Sequence, residues 1–289
     1  MACGLGWPMK SLNSEPINTI PRGGLGYAGR GKAEMKYIVS ASSDIGRVKS
    51  TNQDSLNVMI LSYAGEQMVF AVLCDGMGGL DRGEVASASV VEAFHQWGVE
   101  FLPGLCARGI TDAEIRREWT NIITGQNRKL RNYGAGCGVN LGTTAAVLLV
   151  TKKRYYIVNV GDSRVYELGA SARLLTQDQT VVAMEVQQGK LTWQEAEKDP
   201  RRSVLLQCVG ASEEVCPDFF FGTPGQNMVY MLCSDGFRHE VSPEEIYAYL
   251  QPSRMVSAES MKQNEMALIE LNKQRQERDN ISVITIRTY

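Results

Sequence analysis

The sequence predicts an α+β domain in which two stacked antiparallel β-sheets are flanked by pairs of α-helices, an α-β-β-α sandwich. Three observations point that way. From Tyr37 onward, short apolar or alternating runs recur between Gly, Asp, Asn and Pro, as strands buried on one or both faces do. Several neighbouring runs are joined by connections too short for a crossover helix, which requires antiparallel pairing. Longer segments with helical spacing arrive in pairs between groups of strands, so helices would cover the outer faces of the sheets.

The strands fall at 37–42 (YIVSAS), 55–61 (SLNVMIL), 68–74 (MVFAVLC), 143–150 (TTAAVLLV), 155–160 (YYIVNV), 163–168 (SRVYEL), 218–222 (DFFFG), 228–233 (MVYMLC) and 280–286 (NISVITI). LVTKKRYYIV and VNVGDSRVYE both read as hairpins. Between these runs, 83–101 has helical apolar spacing. Thr111 with Glu114 forms a capping-box pattern that opens a helix running to about Tyr133. Thr192 with Glu195 opens a shorter helix. Ser242 with Glu245 opens another, with Pro243 at the first helical position, where its missing N–H costs nothing. A last helix covers about residues 258–274.

Residues 1–36 differ from the rest. PRGGLGYAGRGK is rich in Gly and Arg and lacks a hydrophobic period, so a disordered lead is expected there, ahead of a folded domain at 37–289. GYAGRGKA (26–33) nearly matches a phosphate-binding loop but fails at Ala33, where Ser or Thr should hold magnesium, and no strand precedes it.

With 44% apolar and 21% charged residues among 289, the chain can bury a sizeable core. The net charge of −2 is spread along the chain and offers no basic stripe for a phosphate backbone, so nucleic acid is not an expected partner. No apolar run reaches the roughly 18–20 residues that span a bilayer, and no secretory signal opens the chain. Seven cysteines without paired spacing argue against a disulfide framework and for a reducing, cytoplasmic setting. Cys74 and Cys233, inside apolar runs, read as small buried hydrophobes.

The chemistry lies at the strand ends. MVFAVLCDGMGG runs from a core strand straight into Asp75, MVYMLCSDGF repeats the layout at Asp235, and YYIVNVGDSR ends at Asp162. Asp54 in TNQDSLNV and Asp279 in RDNISVITI each precede a strand. One Asp-Gly is a common turn, since Asp bonds its own backbone and Gly accepts positive φ. Several carboxylates gathered at one end of a sheet would instead repel one another and resist desolvation. Divalent cations remove that cost, and magnesium and manganese prefer oxygen ligands. Glycine after the acid lets the backbone approach closely enough for its carbonyl to serve as a ligand as well. These features suggest a two-metal carboxylate site. Two ions about 3.5–4 Å apart could share a hydroxide and drive in-line displacement at phosphorus.

Other chemistries for displacement at phosphorus lack their residues. A cysteine nucleophile needs an arginine six residues later, but Cys74 meets Leu80 and Cys233 meets His239. Histidine-rich metal sites need more than the two histidines present. Of these, His95 lies in a helix and reads as structural, while His239 after SDGFR either flanks the site or lies on the surface.

SDIGRVKSTNQDS, CDGMGG followed by GEVAS, GTTAA, VGDSRVY, LTQDQT, CSDGF and RDNISVI occur in that order. Together they resemble the bacterial branch of the metal-dependent Ser/Thr protein phosphatases, the PPM family of type 2C, over about residues 37–287. The resemblance implies a sandwich of two antiparallel sheets flanked by helix pairs. It implies hydrolysis of phosphoserine and phosphothreonine by a metal-bridging hydroxide, without a covalent intermediate and with Mn²⁺ or Mg²⁺ as cofactor. By motif, Asp75 would bridge two ions and the Gly76 carbonyl would bind one. Asp235 and Asp279 would complete the other ion's shell. Asp162 with Asp235 would hold a third, weaker ion, and Asp54 would orient metal-bound waters. Residues 177–203 would form a flap beside the site. The implied partners are phosphorylated proteins and a cognate Ser/Thr kinase, and the implied state is a monomer.

Three positions depart from the family pattern. The phosphate-clamping arginine five residues before Asp54 is Lys49, which brings charge but no bidentate fork. Arg47, two residues earlier, would share its face on an extended strand and assist. The acid often found before Asp54 is Gln53, and the histidine that follows Asp-Gly in many animal members is Met77, which cannot donate a proton. These departures leave room for a weakly active pseudophosphatase that binds phosphoproteins. Against it, Asp75, Asp162, Asp235 and Asp279 are all present, and carboxylates clustered for no ion would be a liability.

Overall fold

The computed structural model describes residues 35–77 and 82–289. Most of the expected lead, the near phosphate-loop match and the last two glycines of CDGMGG lie outside the described residues. Met35, just ahead of the expected domain boundary, is buried in the core between the sheets.

The strands are β1 (Tyr37–Asp44), β2 (Ser55–Tyr63), β3 (Glu66–Cys74), β4 (Ala145–Val150), β5 (Tyr155–Val160), β6 (Arg164–Leu168), β7 (Ala172–Leu174), β8 (Asp218–Gly222), β9 (Val229–Cys233) and β10 (Ile281–Thr288). The helices are α1 (Gly83–Glu100), α2 (Leu102–Arg108), α3 (Asp112–Cys137), α4 (Val181–Gln187), α5 (Trp193–Ala196), α6 (Pro243–Leu250) and α7 (Ala258–Gln274). One sheet runs β1-β10-β9-β6-β7 and the other β2-β3-β4-β5-β8. All the strand pairs are antiparallel.

β3 shows how the layers arise from the residue pattern. Met68, Phe70, Val72 and Cys74 face α1–α3 in a cluster with Phe94, Trp97 and Trp119. Val69, Ala71 and Leu73 point the other way and pack between the sheets with Val165, Leu232 and Ile284. A strand buried on both faces has no polar side, so its sequence reads as one continuous apolar run. On the far side, Met231, Cys233 and Val283 pack under Ile246, Leu250, Met261 and Leu268 of α6 and α7. The order is therefore helices, sheet, sheet, helices. Cys74 and Cys233 are packing residues whose thiols burial pushes up, that of Cys233 to about 12.

Some expectations change. The β5–β6 hairpin does not form: β4 and β8 occupy both edges of β5, so β6 has no edge to pair with there. The chain instead crosses to the other sheet, where β6 joins β9 and β7. Gly161 makes the crossing at φ +97°, and a Cβ there would stand 2.7 Å from a Thr144 methyl. β7 and α2 were not anticipated. α3 continues past Tyr133 to a left-handed Gly138, and Thr111 caps it without the reciprocal bond of a full capping box. The boxes at Thr192/Glu195 and Ser242/Glu245 do form.

Candidate active site

The sheet registers bring the strand-end acids together. Ser55 pairs with Cys74, so the next step of that ladder sets Asp54 beside Asp75 at the end of β2 and β3. In the other sheet Arg164 and Val283 both pair with Cys233, on opposite edges of β9. Continuing these ladders sets Asp162 beside Asp235, with Asp279 just before β10. Side chains at neighbouring strand ends lie about 5 Å apart. Two sheets thus deliver five aspartates to one end of the sandwich.

The backbone around Asp75 is tightly held. Its N–H donates to Thr144 Oγ1, and its carbonyl accepts from the Thr144 N–H and Thr143 Oγ1, each at 2.9 Å. Gly76 donates its N–H to the Gln53 carbonyl at 3.1 Å, and a Cβ there would meet the Gln53 and Gly83 carbonyl oxygens at 2.5 Å. Only glycine allows this approach of three backbone segments. The Gln53 amide reaches Glu84 at 3.4 Å, at the start of α1. Met77 hydrogen-bonds the Gly142 carbonyl through its N–H at 3.0 Å.

The electrostatics are those of carboxylates crowded away from water. Burial, then the charges of Asp54, Asp235, Asp162 and Asp279, push the Asp75 carboxyl well above its ordinary range. Burial raises Asp54 to about 7, with Asp235 and Asp279 adding to the effect and the Ser282 and Ser234 hydroxyls opposing it. Asp162 is also raised to about 7, first by burial and then by Asp235, with Arg238 opposing. Both carboxylate oxygens of Asp54 and one of Asp235 are buried without a well-formed hydrogen bond. Buried polar atoms left in this state cost about 1–3 kcal/mol each, more when charged.

Orphaned, mutually repelling oxygens suit hard divalent cations, so the residues fit magnesium or manganese. Among the described residues no three His, Cys, Asp or Glu side chains already form a compact ligand group. The carboxylates are close enough to disturb one another's ionisation but do not close into a cage.

Basic side chains border the aspartates on some sides. Lys49 Nζ lies 2.8 Å from Asp279 Oδ1, at the mouth of the cluster. Arg47 does not share its face. Residues 46–48 form a turn instead of an extended strand, and Arg47 Nη1 donates to the Lys273 carbonyl at the end of α7, 3.1 Å away. His239 flanks the site and does not lie on the surface. Its ring stands between Asp235 Oδ2 and Glu277 Oε2, 3.5 Å from each. Glu277 Oε1 in turn accepts the N–H groups of Arg278 and Asp279 at 2.6 and 2.9 Å. His95 is half-buried on α1, 3.4 Å from Asn57, in keeping with a structural role.

Arg238, Arg164, Asp178 and Glu277 were not singled out from the sequence. The available signal was position: each lies within three residues of a strand-end acid or in the LTQDQT motif. Arg238 Nη2 donates to the Asp162 carbonyl at 3.0 Å, so Asp162 faces an arginine as well as Asp235. The flap segment carries α4 and α5 with Gly189 at φ +70° between them. A cleft of about 410 Å³ opens between it and α6, lined by Trp193, Arg202, Arg238 and His239 among others. A wider cleft of about 650 Å³, between α3 and residues 213–216, lies away from the aspartates.

The model of the family described as protein phosphatase 2C matches residues 46–269. Protein phosphatase PhpP of Streptococcus pneumoniae is 30% identical over 210 residues, covering 72% of this chain and 82% of that protein. The crystal structure of serine/threonine phosphatase Stp1 from Staphylococcus aureus matches with a TM-score of 0.75 at 27% identity, covering 90% of this chain and 99% of that one. The catalytic domain of the protein phosphatase PstP, solved in complex with two manganese ions, matches at 0.69 and 28% identity, covering 88% and 99%. Fold, motif order and relatives agree: the chain belongs to the protein phosphatase 2C family.

Proposed function

We propose that this chain hydrolyses phosphoserine and phosphothreonine in proteins, with Mn²⁺ or Mg²⁺ held by Asp75, the Gly76 carbonyl, Asp235 and Asp279. The supporting observation is the convergence of strand-end aspartates from both sheets on one buried cluster, with Asp75 perturbed by four other carboxylates. When bound, the cations supply an activated water and neutralise charge on the reacting phosphate. The protein's own groups set the geometry. Asp54, beside Asp75, has two buried carboxylate oxygens without a well-formed hydrogen bond, with which it can orient water. Lys49, at the mouth of the cluster, is placed to exchange its contact with Asp279 for a phosphate oxygen. Met77 has no proton to give, so the departing serine or threonine oxygen takes its proton from water. His239 and Glu277 tie the Asp235 turn to the Asp279 segment and hold the two acids in register.

The substrates on this reading are products of a Ser/Thr kinase. The chain acts as a monomer in the cytoplasm. Six free cysteines among the described residues suit a reducing compartment, and among those residues no helix is long and apolar enough to cross a membrane. The deciding experiment assays the full chain on phosphothreonine peptides with added manganese and after chelation. Metal-dependent phosphate release is expected. Capture of the peptide without turnover at any metal concentration would instead make the chain a binding module.

A further inference from the structure

Asp162 stands in different electrostatic company from the other four acids. Arg238 Nη2, besides its bond to the Asp162 carbonyl, lies 3.5 Å from Asp162 Oδ2 and 3.5 Å from Asp178 Oδ2. Asp178 is also gripped by Arg164 through two bonds of 2.8 and 2.7 Å, one to each carboxylate oxygen. The side chains of Arg238, Asp162 and Asp178 are only 12%, 6% and 8% exposed, so little water screens them. Arg238 thus bridges two carboxylates, and Arg164 holds the second of them from β6. We infer that in this chain the Arg238 guanidinium takes the place of a third divalent cation beside Asp162 and Asp235, leaving a two-ion centre with a permanent organic cation at its rim. The inference rests on the two-cation reading of the cluster given above.

A divalent ion needs surplus negative charge and free oxygen lone pairs. At Asp162 the Arg238 charge already opposes that surplus, and an ion placed there would sit beside a group that cannot lose its proton. The arginine is anchored by design of the local backbone. It follows the 3₁₀ turn Asp235–Phe237, and its N–H donates to the Asp235 carbonyl at 3.0 Å. One turn therefore aims Asp235 into the cluster and Arg238 at Asp162. Burial alone would raise the Asp178 carboxyl, yet Arg238 and Arg164 hold it below its ordinary value. Next to it, Gln179 brackets Gly161 with bonds of 3.0 and 2.8 Å, so the arginine also ties the foot of the flap to the Asp162 turn.

The test is manganese stoichiometry of the full chain, by calorimetric titration and by metal analysis after dialysis against millimolar Mn²⁺. The parent should bind two ions, and D162N should still bind two. R238M should gain a third, weaker equivalent that R238M/D162N loses, while R238K, which keeps the charge, should stay at two. Circular dichroism checks that each variant is folded. A third ion on the parent, lost in D162N, overturns the inference even if R238M does not fold. A folded R238M that stays at two ions also overturns it. A parent that binds no manganese overturns the metal reading of the site itself, a different outcome.

Discussion

At position 75 a negative charge should act in opposite directions on stability and on catalysis. Its carboxylate is crowded by four others, so Asp75→Asn relieves repulsion while removing a carboxylate from the proposed metal site. Phosphate release should fall by at least about a hundredfold, since even groups that only support a metal ligand cost 10–100-fold when lost. In chelator, the variant should melt no lower than the parent, and by a few degrees higher, read by thermal unfolding. A rate near the parent's would return Asp75 to the role of a turn residue. Lys49→Ala tests the phosphate contact. Loss of one charged hydrogen bond, about 1.5–3 kcal/mol, predicts a drop in kcat/KM of about tenfold to a hundredfold, carried mainly by KM. Unchanged kinetics would make Lys49 a partner of Asp279 only. Arg47→Ala, by contrast, should leave KM alone, because that side chain caps α7.

Among the elements, α7 depends on a residue that no motif marks. Glu265 reads in KQNEMALIE as part of a polar face, but it is fully buried against β1 and β10. Its carboxylate accepts from Ser40 and Ser42 at 2.8 and 2.6 Å and from Thr285 at 2.6 Å. Helical periodicity cannot reveal this, since a glutamate inside a helix face looks the same whether it meets water or three hydroxyls. Glu265→Ala would orphan those hydroxyls in the core and should cost about 2–4 kcal/mol in urea unfolding. A loss under about 0.5 kcal/mol would mean that water reaches the gap. β5 and β6 teach a related lesson. The short GDS connection has hairpin length, and only competition for the edges of β5 sends the chain to the other sheet.

For the whole molecule, the aspartate cluster couples stability to pH and metal. Burial raises Asp54 and Asp162 to about 7 in the folded protein, against about 3.9 when unfolded. Between those values the folded state holds protons that the unfolded state has released, so stability declines as pH rises from about 4 through 7. Asp178 and Glu277, shifted downward, have the opposite sign, but their contribution is complete above about pH 5. The chelated protein should therefore melt several degrees lower at pH 8 than at pH 5.5, and manganese should raise the midpoint more at pH 8. Equal midpoints at the two pH values in chelator would show that the carboxylates are not in fact crowded.

The sequence by itself determined the layers and the donors. Apolar runs buried on both faces have to be sandwiched, and an acid at the tip of such a run cannot be displaced without dragging the core with it. Asp54, Asp75, Asp162, Asp235 and Asp279 could be named on that ground. Tertiary structure decided which charges meet. Register across two sheets sets Asp162 against Asp235, a turn swings Arg47 away from Lys49, and Arg238 reaches Asp162 from 76 residues along the chain. Those outcomes depend on distances through space between elements remote in sequence, which local patterns of residues do not encode.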